Sequence, residues 1–218
     1  MSLAIVIPTR NESERLKTKL PEIRSVFPDA HILIVNTPVE YDKTKKIVEL
    51  NDDIYVESKH RFGKSLTYGL YLCRDYDFVI SMDADHDPKS AELMYKALSS
   101  NKQFDLAIGI EDSKRIQRDV VNVMMRILLG LKLENPTCGL RCYRGSIIRH
   151  IIPREPDEWF FIQIQLLYNT IKLGKKAGKG TNYIQVPFPA AEHTGVTENF
   201  NSYKRFFTSL LKFSWENR

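Results

Sequence analysis

Phe78-Val79-Ile80-Ser81-Met82-Asp83-Ala84-Asp85-His86-Asp87-Pro88 is the stretch on which the fold of this chain turns. Its first five residues are mostly apolar without a polar alternation, the pattern of a strand buried on both faces of a parallel sheet. The run stops at three aspartates spaced two apart, and Pro88 then opens a helix where a missing N–H costs nothing. In an extended chain Asp83, Asp85 and Asp87 project to one side, while His86 alternates away. Three carboxylates so close repel one another, and a hard divalent ion such as Mg2+ or Mn2+ relieves the repulsion while leaving positions for substrate phosphates. A helix cap needs a single Asp, and here there are three.

On either side of this stretch the same rhythm repeats. Leu3 to Ile7, His31 to Val35, Ile54 to Val56 and Leu106 to Ile110 read as further strands. Amphipathic stretches near 12–26, 42–50, 64–74 and 90–99 read as the helices between them. Strand-helix alternation of this kind builds a mainly parallel sheet with helices on both faces, and ligands bind beyond the carboxyl ends of its strands. After residue 110 the order becomes a basic helix (114–131), a short Cys-rich strand (139–143), a helix (160–173) and a strand (183–186). The turn at 173–180, LGKKAGKG, is too short and closely flanked for a domain boundary.

The opening Ile5-Val6-Ile7-Pro8-Thr9-Arg10-Asn11-Glu12 is a strand breaking into a polar turn. Thr9, Asn11 and Glu12 would stand at its carboxyl end within reach of a base or ribose, and Arg10 would face a phosphate. Capping explains Thr9 or Asn11 equally well.

Composition sets the outer limits. A chain of 218 residues suits one domain of catalytic size, given a prior of roughly 150 residues per domain. With 43% hydrophobic and 27% charged residues it is neither disordered nor a fibrous or disulfide scaffold. The excess of 32 Lys and Arg over 27 Asp and Glu, +5, suits anionic partners. A nucleic-acid partner would rest on that charge and the aromatics alone, and no recognised module accompanies them. Cys73, Cys138 and Cys142 lack zinc-site spacing and read as buried thiols of a reducing, cytoplasmic compartment. No signal peptide is legible, and the longest apolar stretch, 120–131, is too short to span a bilayer at roughly 20 residues.

Taken jointly, these motifs resemble the family 2 glycosyltransferases of GT-A fold, and among them the dolichyl-phosphate and polyprenyl-phosphate mannose synthases. IVIPTRNE resembles the opening strand and nucleotide-contacting turn of that family, and DADHDP its Asp-x-Asp metal motif with a third ligand and a proline. Arg61-Phe62-Gly63-Lys64-Ser65 is similar to the segment with Gly-Lys before the third helix, and Asn135-Pro136-Thr137-Cys138-Gly139-Leu140-Arg141 to an Asp-Pro-Thr-Ser-Gly-Phe-Arg segment. Arg118 and Asn122 match positions that hold the lipid phosphate, and Phe160-Phe161-Ile162-Gln163-Ile164-Gln165 is similar to an aromatic-x-x-Gln-x-Glu helix, with Gln165 at the acidic place.

Two segments depart from the pattern. Where the family shows an acidic motif after the second strand, this chain has Asn36-Thr37-Pro38, which leaves the nucleotide open. The basic Arg-x-x-Gly-x-Ser-Lys stretch becomes Glu192-His193-Thr194-Gly195-Val196-Thr197-Glu198.

The resemblance implies an α/β, GT-A Rossmann-like domain over 1–218 with a mainly parallel central sheet flanked by helices on both faces. Residues 1–110 would form the nucleotide-sugar half, and 111–218 the acceptor half with a C-terminal amphipathic helix. It implies transfer of a hexose, mannose first, from a nucleotide sugar, GDP-mannose first, to dolichyl or polyprenyl phosphate. The rival readings are a UDP-sugar transferase with a saccharide acceptor and a nucleotide-binding module without turnover.

Asp83, Asp85 and Asp87 would hold Mg2+ or Mn2+, with Asp85, Asp87 and Arg118 catalytic. Pro8, Thr9, Arg10, Asn11, Glu12, Asn36, Lys64, Asp83 and Ala84 would bind the nucleotide sugar, and Arg115, Arg118, Asn122 and Arg141 the acceptor phosphate. A phosphate acceptor needs no general base; a sugar hydroxyl would, with Asp87 or Glu111 as candidates. A lipid acceptor also requires contact with the cytoplasmic face of a membrane. The run 200–215, with Tyr203, Phe206, Phe207, Leu210, Leu211 and Ser214 at helical spacing, and the stretch 120–131 are the expected interfacial helices.

Overall fold

Strand β1 (Leu3–Thr9) is the apolar run Leu-Ala-Ile-Val-Ile before Pro8, and Ala4 to Ile7 are fully buried. It lies between β2 (His31–Asn36) and β4 (Phe78–Ser81), parallel to both, so each of its faces is covered. The pairing with β4 ends at Val6 opposite Ser81, so Pro8 falls past the last rung on that side. Thr9 points its carbonyl at β2, where Thr37 N–H bonds it at 2.9 Å; Pro8, one residue back, faces the other way, and its missing N–H costs the sheet no bond.

The computed structural model describes residues 1–51, 53–112, 116–130, 133–178, 182–189 and 200–217, with the side chains of 112, 116–118 and 200–203 left aside. Among them the strands form one seven-stranded sheet of order β3-β2-β1-β4-β6-β5-β7. It includes β3 (Ile54–Glu57), β5 (Leu106–Asp112), β6 (Arg141–Arg144) and β7 (Tyr183–Pro189). Every pairing is parallel except those of β6, which runs antiparallel between β4 and β5. The architecture is the mostly parallel α/β sheet flanked by helices that the sequence implies. The carboxyl ends of β1 to β5, and the loop entering β6, therefore share one edge.

Helices α1 (Ser13–Val26), α2 (Thr44–Glu49), α3 (Phe62–Leu72) and α4 (Pro88–Ser99) follow the first four strands. Close approach is written into α3. A Cβ on Gly69 would lie 2.4 Å from Val6 and 2.8 Å from Val35, so the helix axis rests directly on β1 and β2. Later come α5 (Ile116–Leu129), α6 (Gly145–Ile151), α7 (Ile162–Lys176) and α8 (Phe200–Glu216). The short α6 was not legible in the sequence; it is stopped at once by Pro153.

The C-terminal stripe expected to face a membrane faces the protein for the most part, Leu211 being the one exposed residue among its described members. Leu210 and Ser214 are buried, and Phe206 and Phe213 pack edge-on against Phe161 with centroids 5.6 Å apart. Core-facing and membrane-facing helices share one period, so periodicity alone does not choose. No helix among the described residues is long and apolar enough to cross a membrane.

Candidate functional site

Strand order reverses between β1 and β4, and at that switch point the loops leaving two adjacent strands diverge and open a crevice. The loops here are 9–12 and 82–87. Asn11 takes a left-handed conformation, φ 58°, which Asn tolerates, and the turn brings Glu12 to the entrance of α1. Asp83 and Asp85 leave β4 beside it. Burial raises the Glu12 carboxyl; Arg15, bonded at 2.8 Å, pulls it back, and the like charges of Asp85 and Asp83 push it up further. Glu12, which the sequence assigns to the nucleotide sugar, thus shares one electrostatic site with the aspartates.

Ligand atoms of Asp83, Asp85 and His86 lie within 4.8 Å of one another. Chemistry separates the histidine from the pair. His86 Nδ1 accepts the Asp83 backbone N–H at 2.9 Å, and His86 N–H bonds the Asp83 carbonyl at 3.1 Å, so the ring closes the turn that presents the aspartates. With its Nδ1 lone pair spent, neutral His86 carries its proton on Nε2 and offers no ligand atom. The donor set that fits a divalent cation is therefore oxygen from Asp83 and Asp85, with Glu12 adding negative potential, as suits Mg2+ or Mn2+. Asp87 is not in this set. It is exposed and caps α4, its Oδ1 accepting Lys89 N–H at 3.1 Å, and of the three aspartates expected as ligands it is the one that the structure does not bring into the cluster. Ala84, between the pair, is buried.

Behind Asp83 stands the loop 135–140. A Cβ on Gly139 would meet Asp83 Oδ2 at 2.6 Å, so the carboxylate leans on backbone that has no side chain. Ser81 Oγ donates to the Gly139 carbonyl at 3.0 Å and ties the same loop to β4. Arg141 organises it from below. Wholly buried, its guanidinium donates to the carbonyls of Cys138 (2.9 Å), Gln163 (2.7 Å) and Pro136 (2.6 Å). This overturns its assignment to the acceptor phosphate: the charge is sealed from solvent and spent on loop backbone. Asn122 donates to the Glu134 carbonyl at 2.8 Å and so anchors the start of the loop to α5. Arg115 and the Arg118 side chain lie outside the described residues, as does the stretch 192–198. Glu111 is buried near the carboxyl end of β5, close enough to Cys138 to act on its thiol.

The nucleotide side differs from expectation in two places. Asn36 is 1% exposed, and both amide protons are taken, by Asp42 Oδ2 at 2.9 Å and the Tyr55 hydroxyl at 3.2 Å. Its Oδ1 accepts from Thr9 Oγ1 at 3.0 Å. Asn36 and buried Thr9 thus brace the strand ends, leaving no amide donor of Asn36 for a base. The carboxylate that Asn36 lacks is present at Asp42. Burial works against its charge, but hydrogen bonds from Thr44, Asn36 and the Asn11 backbone outweigh it and hold Asp42 below its ordinary value. The sequence signal was Asp42-x-Thr44 at a helix start, a turn motif rather than a site motif. Lys64, expected on the donor phosphates, is paired with Glu158 at 3.0 Å and holds that carboxyl below its usual range. Arg10 is exposed at the crevice mouth, as is Asn11.

No family model matches the chain. Its sequence is 29% identical to the undecaprenyl-phosphate mannosyltransferase of Micrococcus luteus over 199 residues, spanning 81% of this chain and 80% of that protein. It is 26% identical to the polyprenol monophosphomannose synthase of Mycolicibacterium smegmatis over 211 residues, 86% of this chain and 77% of that one. Among solved structures it superposes on glucosyl-3-phosphoglycerate synthase from Mycobacterium tuberculosis, in complex with Mn2+, uridine diphosphate and phosphoglyceric acid. That match has TM-score 0.77 and 16% identity, and covers 98% of this chain and 78% of the other. The chain therefore has the GT-A fold, a mostly parallel α/β sheet flanked by helices.

Proposed function

We propose that this protein transfers a hexose, mannose first, from a nucleoside diphosphate sugar, GDP-mannose first, to polyprenyl or dolichyl phosphate. The observation that carries the reading is the convergence of Glu12, Asp83 and Asp85 at the switch point of the sheet. Two sequence relatives named for mannosyl transfer to polyprenyl phosphates, each aligned over more than four-fifths of the chain, support the sugar and acceptor.

The chemistry is a single displacement: an acceptor phosphate oxygen forms the new bond to the anomeric carbon as the bond to the diphosphate breaks. Asp83 and Asp85 would hold the divalent cation, whose positive charge offsets the charge developing on the departing diphosphate. His86 and Gly139 keep the pair in place. Residues 9–12 border the nucleotide, with Arg10 free to meet its phosphates. A phosphate acceptor is already an anion at pH 7, so no proton need be removed from it. Arg118, at the start of α5, is proposed to position that acceptor.

A second reading has its own support. Solved structures of this fold hold Mn2+ and uridine diphosphate beside a phosphorylated small acid, which favours a UDP-sugar donor and a non-lipid acceptor. A hydroxyl acceptor would require a base, and Glu111, at the same sheet edge, is then the candidate in preference to Asp87, which is engaged in capping.

A Mn2+-supplemented transfer assay crossing GDP-mannose and UDP-glucose with polyprenyl phosphate, phosphoglycerate and free sugars separates them. Product from GDP-mannose and polyprenyl phosphate is expected. Product only from UDP-glucose and a soluble acceptor would replace the first reading by the second. In the productive pair Asp85→Asn should abolish metal-dependent turnover with the fold retained, and unchanged turnover would remove the metal site.

A further inference from the structure

Among the described residues, Asn11 at φ 58° and Tyr41 at φ 63° hold a left-handed backbone without being glycine, and both stand at the same edge of the sheet. Asn tolerates this conformation; a bulky side chain such as that of Tyr41 is strained by it. The two loops are joined through Asp42, whose carboxylate accepts from the Asn11 backbone and, at 2.9 Å, from the Asn36 amide at the end of β2. Tyr41 therefore sits beside the crevice loop 9–12. Asp42 N–H returns to the Val39 carbonyl at 3.1 Å and closes a tight turn with Tyr41 at its third position, the place that glycine ordinarily fills. With 88% of its surface open, Tyr41 gains almost no packing to offset the strain. Backbone outliers of this kind cluster where a ligand is clamped.

The polar groups around Asn36 are already committed. Asp42 Oδ1 also accepts the Thr44 N–H at 2.9 Å and the Thr44 hydroxyl at 2.6 Å, so the carboxylate's about four acceptor positions are filled from within the chain. Asn36 has spent both amide protons. Thr37 donates its N–H to the Thr9 carbonyl at 2.9 Å and its hydroxyl to the His60 carbonyl at 2.6 Å. A heteroaromatic base entering beside β2 thus finds neither Asn36 nor Asp42 free to read its edge. It finds instead an open phenol ring, and every base has a face that such a ring can stack on.

We infer that Tyr41 binds the base of the donor nucleotide by stacking on its face, so that the base is recognised by area more than by hydrogen-bonding pattern. The inference deepens the nucleotide-sugar reading above and rests on it. A purine offers more face than a pyrimidine, so a GDP-linked donor is favoured over a UDP-linked one by degree, and neither is excluded. The left-handed turn at Tyr41 is what holds the ring out of the protein and at the crevice.

Isothermal titration of the full chain with GDP, UDP and pyrophosphate, each with Mn2+, provides the test. Tyr41→Gly should weaken GDP binding about ten-fold or more, weaken UDP binding less, and leave pyrophosphate, which has no base, unchanged. Its melting temperature should be at or above that of the wild-type chain, because glycine adopts φ 63° without strain. Tyr41→Phe should bind GDP within about two-fold of wild type, since stacking needs the ring and not the hydroxyl. Unchanged GDP affinity in Tyr41→Gly, or an equal loss for GDP and pyrophosphate, overturns the inference. So does a loss in Tyr41→Phe as large as that in Tyr41→Gly, the hydroxyl then being the contact. Wild-type binding of GDP and UDP no tighter than that of pyrophosphate defeats the nucleotide-donor reading itself, a result distinct from tight GDP binding that Tyr41→Gly leaves untouched.

Discussion

Gly139 shows how much one missing side chain decides. Its backbone lies where a Cβ would collide with Asp83 Oδ2, yet its own conformation is one alanine can adopt, so the cost of substitution falls on the carboxylate rather than on the fold. Gly139→Ala should therefore weaken Mn2+ affinity about 10–100-fold, the usual effect of disturbing a ligand's support, with little change in the melting temperature of the metal-free protein. Isothermal titration with Mn2+ and a thermal melt separate the two effects. Glu12 makes the complementary case in charge. Its folded-state pKa lies above the ordinary value of 4.5, so ionised Glu12 costs the metal-free protein stability. The cost is absent below that ordinary value and complete once pH exceeds the raised one. Glu12→Gln should then raise the melting temperature at pH 7, a gain that fades as pH falls toward 4.5. A gain independent of pH would mean that the ionised carboxylate, penalised first by burial and then by the nearby aspartates, is not its source.

At the scale of elements, the sheet edge is assembled by helices pressed unusually close. Gly69 lets α3 rest on Val6 and Val35, and a methyl group there must push the helix away from the two strands that carry Thr9 and Asn36. Gly69→Ala should cost about 1–3 kcal/mol in urea denaturation, the typical price of overpacking a core. Loss below that range would mean that α3 yields without strain. The strands were legible because buried parallel strands read as unbroken apolar runs, as at Ile5 to Ile7 and Phe78 to Ile80. Helix α8 was legible as a helix but not in its orientation. Leu210 and Leu211 are adjacent in sequence, and which of them is buried depends on where Phe161 and Tyr168 stand.

At the scale of the whole molecule, the three thiols report on cooperativity. Cys73 ends α3, Cys138 lies in the loop behind Asp83 and Cys142 is in β6, and all three are buried and unpaired. Burial pushes Cys73 and Cys138 up to about 12, and Cys142 higher still. At pH 8 an aromatic disulfide reagent should find no reactive thiol in the native protein, and all three should react in a single phase on unfolding. Early reaction of Cys138 alone would show that the loop 135–140 opens independently of the sheet. By itself the sequence determined the alternation of strands and helices, the placing of Asp83 and Asp85 after a buried strand, and the resemblance to nucleotide-sugar transferases. Each of these is written in local pattern. Only the tertiary structure decided that Asp87 caps a helix, that His86 closes the turn, that Arg141 is sealed beneath a loop, and that Asp42 stands beside Asn36. These roles depend on which partners arrive from 20 or more residues away, or on which of several nearby hydrogen bonds the fold completes, and neither is fixed by spacing along the chain.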